Sequence, residues 1–310
     1  METLAVVVEE PGRVALRRLG MTAPDANDLV VAVEFSGISM GTEKLMYNGA
    51  MPMFPGMGYP LVPGYEAVGR VVDAGAAAKA RIGEQVFVPG SSKFIGARGL
   101  FGGSAQTLVT GSARVLSIPD GLGESAVLLS LAATAQHALA GGALPDLIIG
   151  HGVLGRLLAR MTVAAGQQPT VWEINPARMD GAQGYAVIAP DADDRRDYRS
   201  VYDASGDSKI LDPAIMHMAH GGEVVLAGFY SDPLSFNFAP AFRRESRLRI
   251  ATEFQPDDLA AVVAMVGSGR LSLDGLVTNR VSASAAATAY GQAFTDPSCL
   301  KMVFDWRDVA

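Results

Sequence analysis

The stretch that most limits what this chain can fold into is Leu147-Ile148-Ile149-Gly150-His151-Gly152-Val153-Leu154-Gly155. Three apolar residues run straight into Gly-x-Gly-x-x-Gly, and a helical stretch from Arg156 to Ala165 follows. Strand, tight glycine turn and helix, in that order, are what a dinucleotide-binding turn requires. The first glycine permits the turn, the second lets backbone approach a pyrophosphate, and the third lets helix pack on strand. The helix start then offers free N–H groups and a partial positive charge to phosphate. A second strand, Pro169-Thr170-Val171-Trp172, ends in Glu173, 23 residues past Gly150. That is close to the offset of about 20 expected of an acid that binds a ribose 2′-hydroxyl. In a chain with 35 glycines a triplet alone says little, and the competing reading is a glycine turn that binds nothing. Strand, turn, helix and acid agree, so Gly150, His151, Gly152, Val153, Leu154, Gly155 and Glu173 are candidate cofactor-binding residues. A carboxylate at Glu173 repels a 2′-phosphate, which makes NAD the expected cofactor, and Arg178 is the one nearby feature that would favour NADP.

Composition removes several classes. At 310 residues there is room for two domains, and 49% hydrophobic with 18% charged residues describes a globular chain. A net charge of −7 with no basic run argues against nucleic acid. The most apolar window, Ala126 to Leu144, is broken by Ser130, Thr134, Gln136 and His137, so no membrane span is expected. Met1-Glu2-Thr3 lacks the basic start of a signal peptide, which makes the cytoplasm the expected setting. Cys299 is the only cysteine, which excludes internal disulfides and multi-cysteine zinc sites.

The first third reads as β. Strands are expected at Leu4–Val8, Val14–Leu19, Leu29–Ser36, Leu61–Val72, Gln85–Pro89 and Ala105–Val109, with a short helix ending near Tyr47. From Ser125 strands and helices alternate. Strands at Leu147–Ile149, Thr170–Trp172, Tyr185–Ile188, Ser200–Asp203, Glu223–Ala227 and Leu248–Thr252 read as a doubly wound parallel sheet, an α/β fold. Asp191 to Arg199 is too short and too charged for a full crossover helix, and Pro256 to Gly267 reads as amphipathic.

This order of elements resembles the medium-chain dehydrogenase/reductase superfamily, over nearly the whole chain. Ser36-Gly37-Ile38-Ser39-Met40-Gly41-Thr42-Glu43 is similar to its segment carrying the catalytic zinc cysteine. Pro63-Gly64-Tyr65-Glu66-Ala67-Val68-Gly69 is similar to its Gly-His-Glu segment, and Gly221 to Gly228 to the strand that passes near the nicotinamide. The resemblance implies a GroES-like barrel at 1–122 with 254–310 and a Rossmann domain at 123–253. It adds Ala204 and Gly228 to the cofactor-binding residues. The departures matter as much. Ser39 stands where the zinc cysteine would be and Tyr65 where the zinc histidine would be, with one residue more than usual between Ser39 and Glu43. Hydroxyls are poor zinc ligands, and the four-cysteine structural lobe is absent, so a zinc-free member with no metal is expected.

Within the superfamily the chain most resembles the dehydrogenases of bacteriochlorophyllides. The stretches that carry this are Gly37–Glu43, Val171-Trp172-Glu173-Ile174-Asn175-Pro176 and Lys301-Met302-Val303-Phe304-Asp305-Trp306. The resemblance implies NAD-dependent oxidation of a 3-(1-hydroxyethyl) group to acetyl on a flat magnesium macrocycle. It also leaves open a homodimer and a place beside the photosynthetic membrane. Without zinc a side chain must relay the alcohol proton, and the candidates are Ser39, Thr42, Tyr65, Glu66 and His137, with Glu43 nearby. A Ser39/Tyr65 hydroxyl pair would position the substrate oxygen while His137 or Glu66 takes the proton indirectly. Five of the 13 methionines fall between Met40 and Met57. Met46, Tyr47, Met53, Phe54, Met57 and Tyr59 are therefore candidate macrocycle contacts, against the competing reading of a small packing cluster. The alternatives in function are a zinc-free quinone or enone reductase and a silent dinucleotide-binding redox sensor.

Overall fold

A computed structural model describes residues 1–310 except Phe54 and Ala310. Backbone contacts divide the chain into two compact units, Met1–Ser130 with Leu276–Ala310, and Leu131–Gly275. Sequence reading puts the divisions at 122/123 and 253/254. In the structure the helix Pro256–Gly267 belongs to the second unit, where its first-turn Asp258 bonds His137.

The first unit is built on the long strand Asp28–Ile38. Its alternating Val, Leu and Phe residues bury one face, and it pairs with Ala67–Ala74, Thr107–Gly111 and Met302–Asp305. Seven strands join in this sheet, and Glu2–Glu10, Arg13–Met21 and Phe94–Ile95 form a second. Val6, Val8, Leu29, Val31, Phe304 and Trp306 share the core. The expected strand from Leu61 to Val72 starts only at Ala67. Pro63 supplies no N–H, and Gly64 has a φ of +94°, so the backbone turns there and sets Tyr65 and Glu66 down ahead of the strand.

The second unit carries six parallel strands. In space they run Ala186–Ile188, Thr170–Trp172, Leu147–Ile149, Tyr198–Asp203, Met218–Leu226 and Arg247–Ile250. That is the order 3-2-1-4-5-6 of the doubly wound nucleotide fold, with the direction of winding reversing beside Leu147–Ile149. The glycine turn thus opens at the carboxyl end of the strand next to the switch point. The crossover before Tyr198 holds only a 3₁₀ turn, Pro190–Ala192. Asp193 fills that space, accepting the Trp172 indole N–H and the Tyr198 hydroxyl at 2.7 Å each.

Candidate active site

The strand Asp28–Ile38 runs out at Ser39, and the helix Thr42–Asn48 begins three residues later. This brings Ser39 and Thr42 to one place, and the turn at Gly64 delivers Tyr65 to them. Ser39 Oγ and the Tyr65 hydroxyl lie 2.6 Å apart, and Thr42 also hydrogen-bonds to Tyr65. Phe101 packs edge-on against the Tyr65 ring at 5.1 Å. The phenol is pushed well above its ordinary range, first by burial and then by the Glu66 charge. It therefore stays protonated at neutral pH and is able to donate a hydrogen bond, as a phenolate is not. Beneath Ser39, Glu43 Oε1 accepts the Ser39 N–H at 3.0 Å and Glu43 Oε2 accepts the Tyr290 hydroxyl.

Glu66 does not serve as the free proton acceptor that the sequence reading entertains. Its two oxygens lie 2.9 and 2.7 Å from Lys301 Nζ, whose third N–H goes to the Ile38 carbonyl at 3.1 Å. Both side chains are fully buried. Burial pushes the Glu66 carboxyl up while Lys301 holds it down, and the ammonium, its three N–H groups all spent, keeps no donor for substrate. A Cβ at Gly37 would stand 2.1 Å from Glu66 Oε2, so only glycine admits this pair. Lys301 is the residue that sequence reasoning missed. Its one signal is a lysine inside the apolar run Leu300-Lys301-Met302-Val303-Phe304.

His137 lies in the second unit, with Nδ1 2.8 Å from Asp258, the residue that also caps the helix Pro256–Gly267. The methionine segment is mostly a satellite core. Met46, Met51, Met57 and Leu61 pack together, and the Tyr59 hydroxyl donates to the Met46 carbonyl. Met46 is 0% exposed, which removes it as a contact surface for a macrocycle. Tyr47 is half-buried against Tyr290 and Phe294, and Met53 is 86% exposed. Phe54 lies outside the described residues. Among the described residues no three His, Cys, Asp or Glu side chains gather to hold a metal ion. The Ser39, Thr42 and Tyr65 hydroxyls, with Glu66 committed to Lys301, do not fit zinc.

In the second unit Gly150 has a φ of +94°, and a Cβ on Gly155 would stand 1.8 Å from the Gly150 carbonyl oxygen. Both glycines are required by backbone. Gly152 differs, because nothing lies within 4 Å of where its Cβ would stand. It caps the helix Val153–Ala164, in which Val153 is buried and Leu154 half-buried. An open helix start over a closed glycine turn fits a pyrophosphate. Ala204 and Gly228 border the turn: the Ala204 N–H bonds the Ile149 carbonyl, and the Gly228 N–H bonds the Asp203 carbonyl. Glu173 is buried at its strand end and accepts the N–H groups of His151, Ile174 and Asn175 at 2.8–2.9 Å. Ile174 beside it is 83% exposed, a flat apolar shelf next to the acid.

The His151 ring is buried, and both of its nitrogens are taken by protein partners. Nδ1 bonds the Arg178 carbonyl at 2.6 Å and Nε2 the Tyr185 hydroxyl at 2.8 Å. Burial, with Arg156 adding to it, lowers the ring to about 4, so it is neutral at pH 7. Arg156 ties the same pieces through the His151, Arg178 and Asp180 carbonyls. His151 is thus a latch between the glycine turn and the 178–185 segment.

The buried pair gives a direct prediction. Lys301→Met leaves a buried carboxylate without its cation and should cost about 3–5 kcal/mol in urea unfolding. The loss should grow as pH rises, because a carboxyl whose folded pKa is raised is favoured only while protonated. Lys301→Met combined with Glu66→Leu should recover most of it, and equal losses in single and double variants would contradict the assignment.

Residues 25–120 match the alcohol dehydrogenase GroES-like domain. The chain is 55% identical over 312 residues to the 2-desacetyl-2-hydroxyethyl bacteriochlorophyllide A dehydrogenase of Rhodobacter capsulatus, covering 99% of both chains. It is 54% identical to the protein of the same name from Cereibacter sphaeroides, covering all of both. Acetophenone reductase from Geotrichum candidum, solved in complex with NAD, shares the fold with a TM-score of 0.85 at 20% identity, over 99% of this chain and 98% of that one. The chain belongs to the bacteriochlorophyllide dehydrogenase family of the medium-chain dehydrogenase/reductase superfamily.

Proposed function

We propose that the chain oxidises the 3-(1-hydroxyethyl) group of a bacteriochlorophyllide to 3-acetyl, with NAD as oxidant and without zinc. The observation that carries this reading is the Ser39–Tyr65–Thr42 hydroxyl cluster, built on the residues that the family resemblance puts at zinc-ligand positions. The full-length identity to two dehydrogenases named for that substrate supports it. In this reading the first unit holds the substrate and the second the dinucleotide. When bound, NAD accepts the hydride from the carbinol carbon. Ser39 and Tyr65 hydrogen-bond the substrate oxygen, and the hydroxyl proton passes through them to Thr42. The Thr42 side chain is half-exposed and hands the proton to water. Glu66 stays with Lys301 throughout.

For the cofactor, Glu173 favours NAD. Its carboxylate is fixed by three backbone N–H groups, and its negative charge opposes a 2′-phosphate. Glu173→Gln should narrow the preference for NAD over NADP by about tenfold, or 1.4 kcal/mol. The function itself is tested with purified protein, NAD and the hydroxyethyl pigment after dialysis against a chelator. A product lighter by two hydrogens, formed at an undiminished rate, is the expected result. Turnover only of a quinone with NADPH would install the reductase reading, and NADH binding without turnover of either would install the sensor.

For the substrate, Met53 offers the most surface among the described candidates of the methionine segment. Met53→Ala should raise KM for the pigment while leaving the melting temperature and NADH affinity alone. Met46→Ala, which opens a cavity, should cost about 2–5 kcal/mol of stability. Equal loss of stability in both variants would make the whole segment core. For assembly, the strand Arg247–Ile250 ends its sheet, with Ile250 77% exposed and Phe238 and Phe242 exposed on the helix Phe238–Arg244. An open apolar edge of this kind favours pairing with a second copy. Sedimentation should give twice the 32.4 kDa chain mass, and a single-chain mass would remove the dimer. Among the described residues no helix is long and apolar enough to cross a membrane.

A further inference from the structure

We propose that Glu43 is the positioning residue of the hydroxyl cluster: its buried carboxylate, held by the Tyr290 hydroxyl, fixes Ser39 through the Ser39 N–H. This rests on reading the cluster as the alcohol site. Glu43 lies in the first turn of the helix Thr42–Asn48 and is fully buried, and among the described residues no cation pairs with it. Its partners are two neutral donors, the Ser39 N–H from the end of the strand Asp28–Ile38 and the Tyr290 hydroxyl from the helix Ala286–Thr295. The Lys301 ammonium, whose charge Glu43 feels, spends its hydrogen bonds on Glu66 and the Ile38 carbonyl. A carboxylate kept inside a protein in this way loses its hydration, and its two hydrogen bonds are what offset that loss.

The bond to Ser39 also sets geometry. A carboxylate accepting a backbone N–H makes a hydrogen bond roughly twice as strong as a neutral acceptor does. Ionised Glu43 therefore holds Ser39 firmly at 2.6 Å from Tyr65, and protonated Glu43 holds it less firmly. The groups acting on Glu43 come from every neighbouring element. Burial pushes its carboxyl up to about 7, the Tyr290 and Ser39 bonds and the Lys301 charge work against that, and Glu66 works with it. Glu43 in turn helps keep Tyr65 protonated. The switch between firm and loose Ser39 falls in the neutral range.

The test uses the full-length protein labelled with ¹⁵N-serine, with the Ser39 amide followed from pH 5 to 9. The amide should move in one step with a midpoint near 7. The step should vanish in Glu43→Gln, whose carboxamide oxygen still accepts the Ser39 N–H while its NH2 donates to a reoriented Tyr290 hydroxyl, and which does not titrate. In Tyr290→Phe the midpoint should move up, because the ionised carboxyl loses a donor. kcat/KM for the pigment should fall on the acid side with the same midpoint, and Glu43→Gln should lack that limb. A Ser39 amide that does not titrate, or that titrates unchanged in Glu43→Gln, overturns the proposal whatever the substrate. If Glu43→Gln does not fold, an unmoved midpoint in Tyr290→Phe overturns it equally. An amide that titrates as described in a protein that oxidises no pigment upholds the role of Glu43 in placing Ser39 and refutes the alcohol reading instead.

Discussion

The first unit depends on one ion pair sealed from water. Lys301 and Glu66 meet 235 residues apart in the chain, and the ammonium's remaining bond goes to the last residue of the long strand Asp28–Ile38. Such a pair is stable only where every proton and lone pair finds a partner. That requirement reaches outward. Gly37 must lack a side chain so the carboxylate can lie against the strand, and Gly64 must turn so Glu66 can enter the core. Once Glu66 is anchored, the adjacent Tyr65 is committed to the opposite direction, toward Ser39 and Thr42. A cation inside the protein thus helps to organise a site made of hydroxyls.

The second unit follows a different constraint, close approach of backbone to backbone. Gly150 turns with a positive φ and the Gly155 helix contact leaves no space for a methyl group, whereas the space over Gly152 is open. Around this turn Glu173, His151 and Arg156 form a brace of buried polar groups, each spending its hydrogen bonds on main chain or on Tyr185. The acid expected to meet the ribose is also the acid that shapes the loop. Rigidity at such a site lowers the entropy lost when a ligand binds.

How much of this was legible in the sequence follows from where each signal resides. The strands of the parallel sheet, the glycine turn and the helix Pro256–Gly267 are local patterns, and they were readable because apolar period, glycine and proline act over a few residues. The substitution of Ser39 and Tyr65 at zinc-ligand positions was readable through family resemblance. The commitment of Glu66 was not, because Lys301 arrives from the far end of the chain. His151 invited a phosphate contact from its place in the loop, and tertiary partners 27 and 34 residues away turned it inward. The methionine segment read equally well as pocket or core, since composition cannot tell which way a side chain points. Packing put Met46, Met51 and Met57 inside.

The claim on which everything else turns is that a neutral hydroxyl cluster can stand in for a metal while hydride leaves the carbinol carbon. Following isotope is the most direct measurement. With pigment carrying deuterium on that carbon, NAD and protein whose metal content has been shown to be nil, each oxidised pigment should leave one deuterium on the reduced nicotinamide. Deuterium released to water with none on the nicotinamide, or transfer that begins only when zinc is added, would contradict the account.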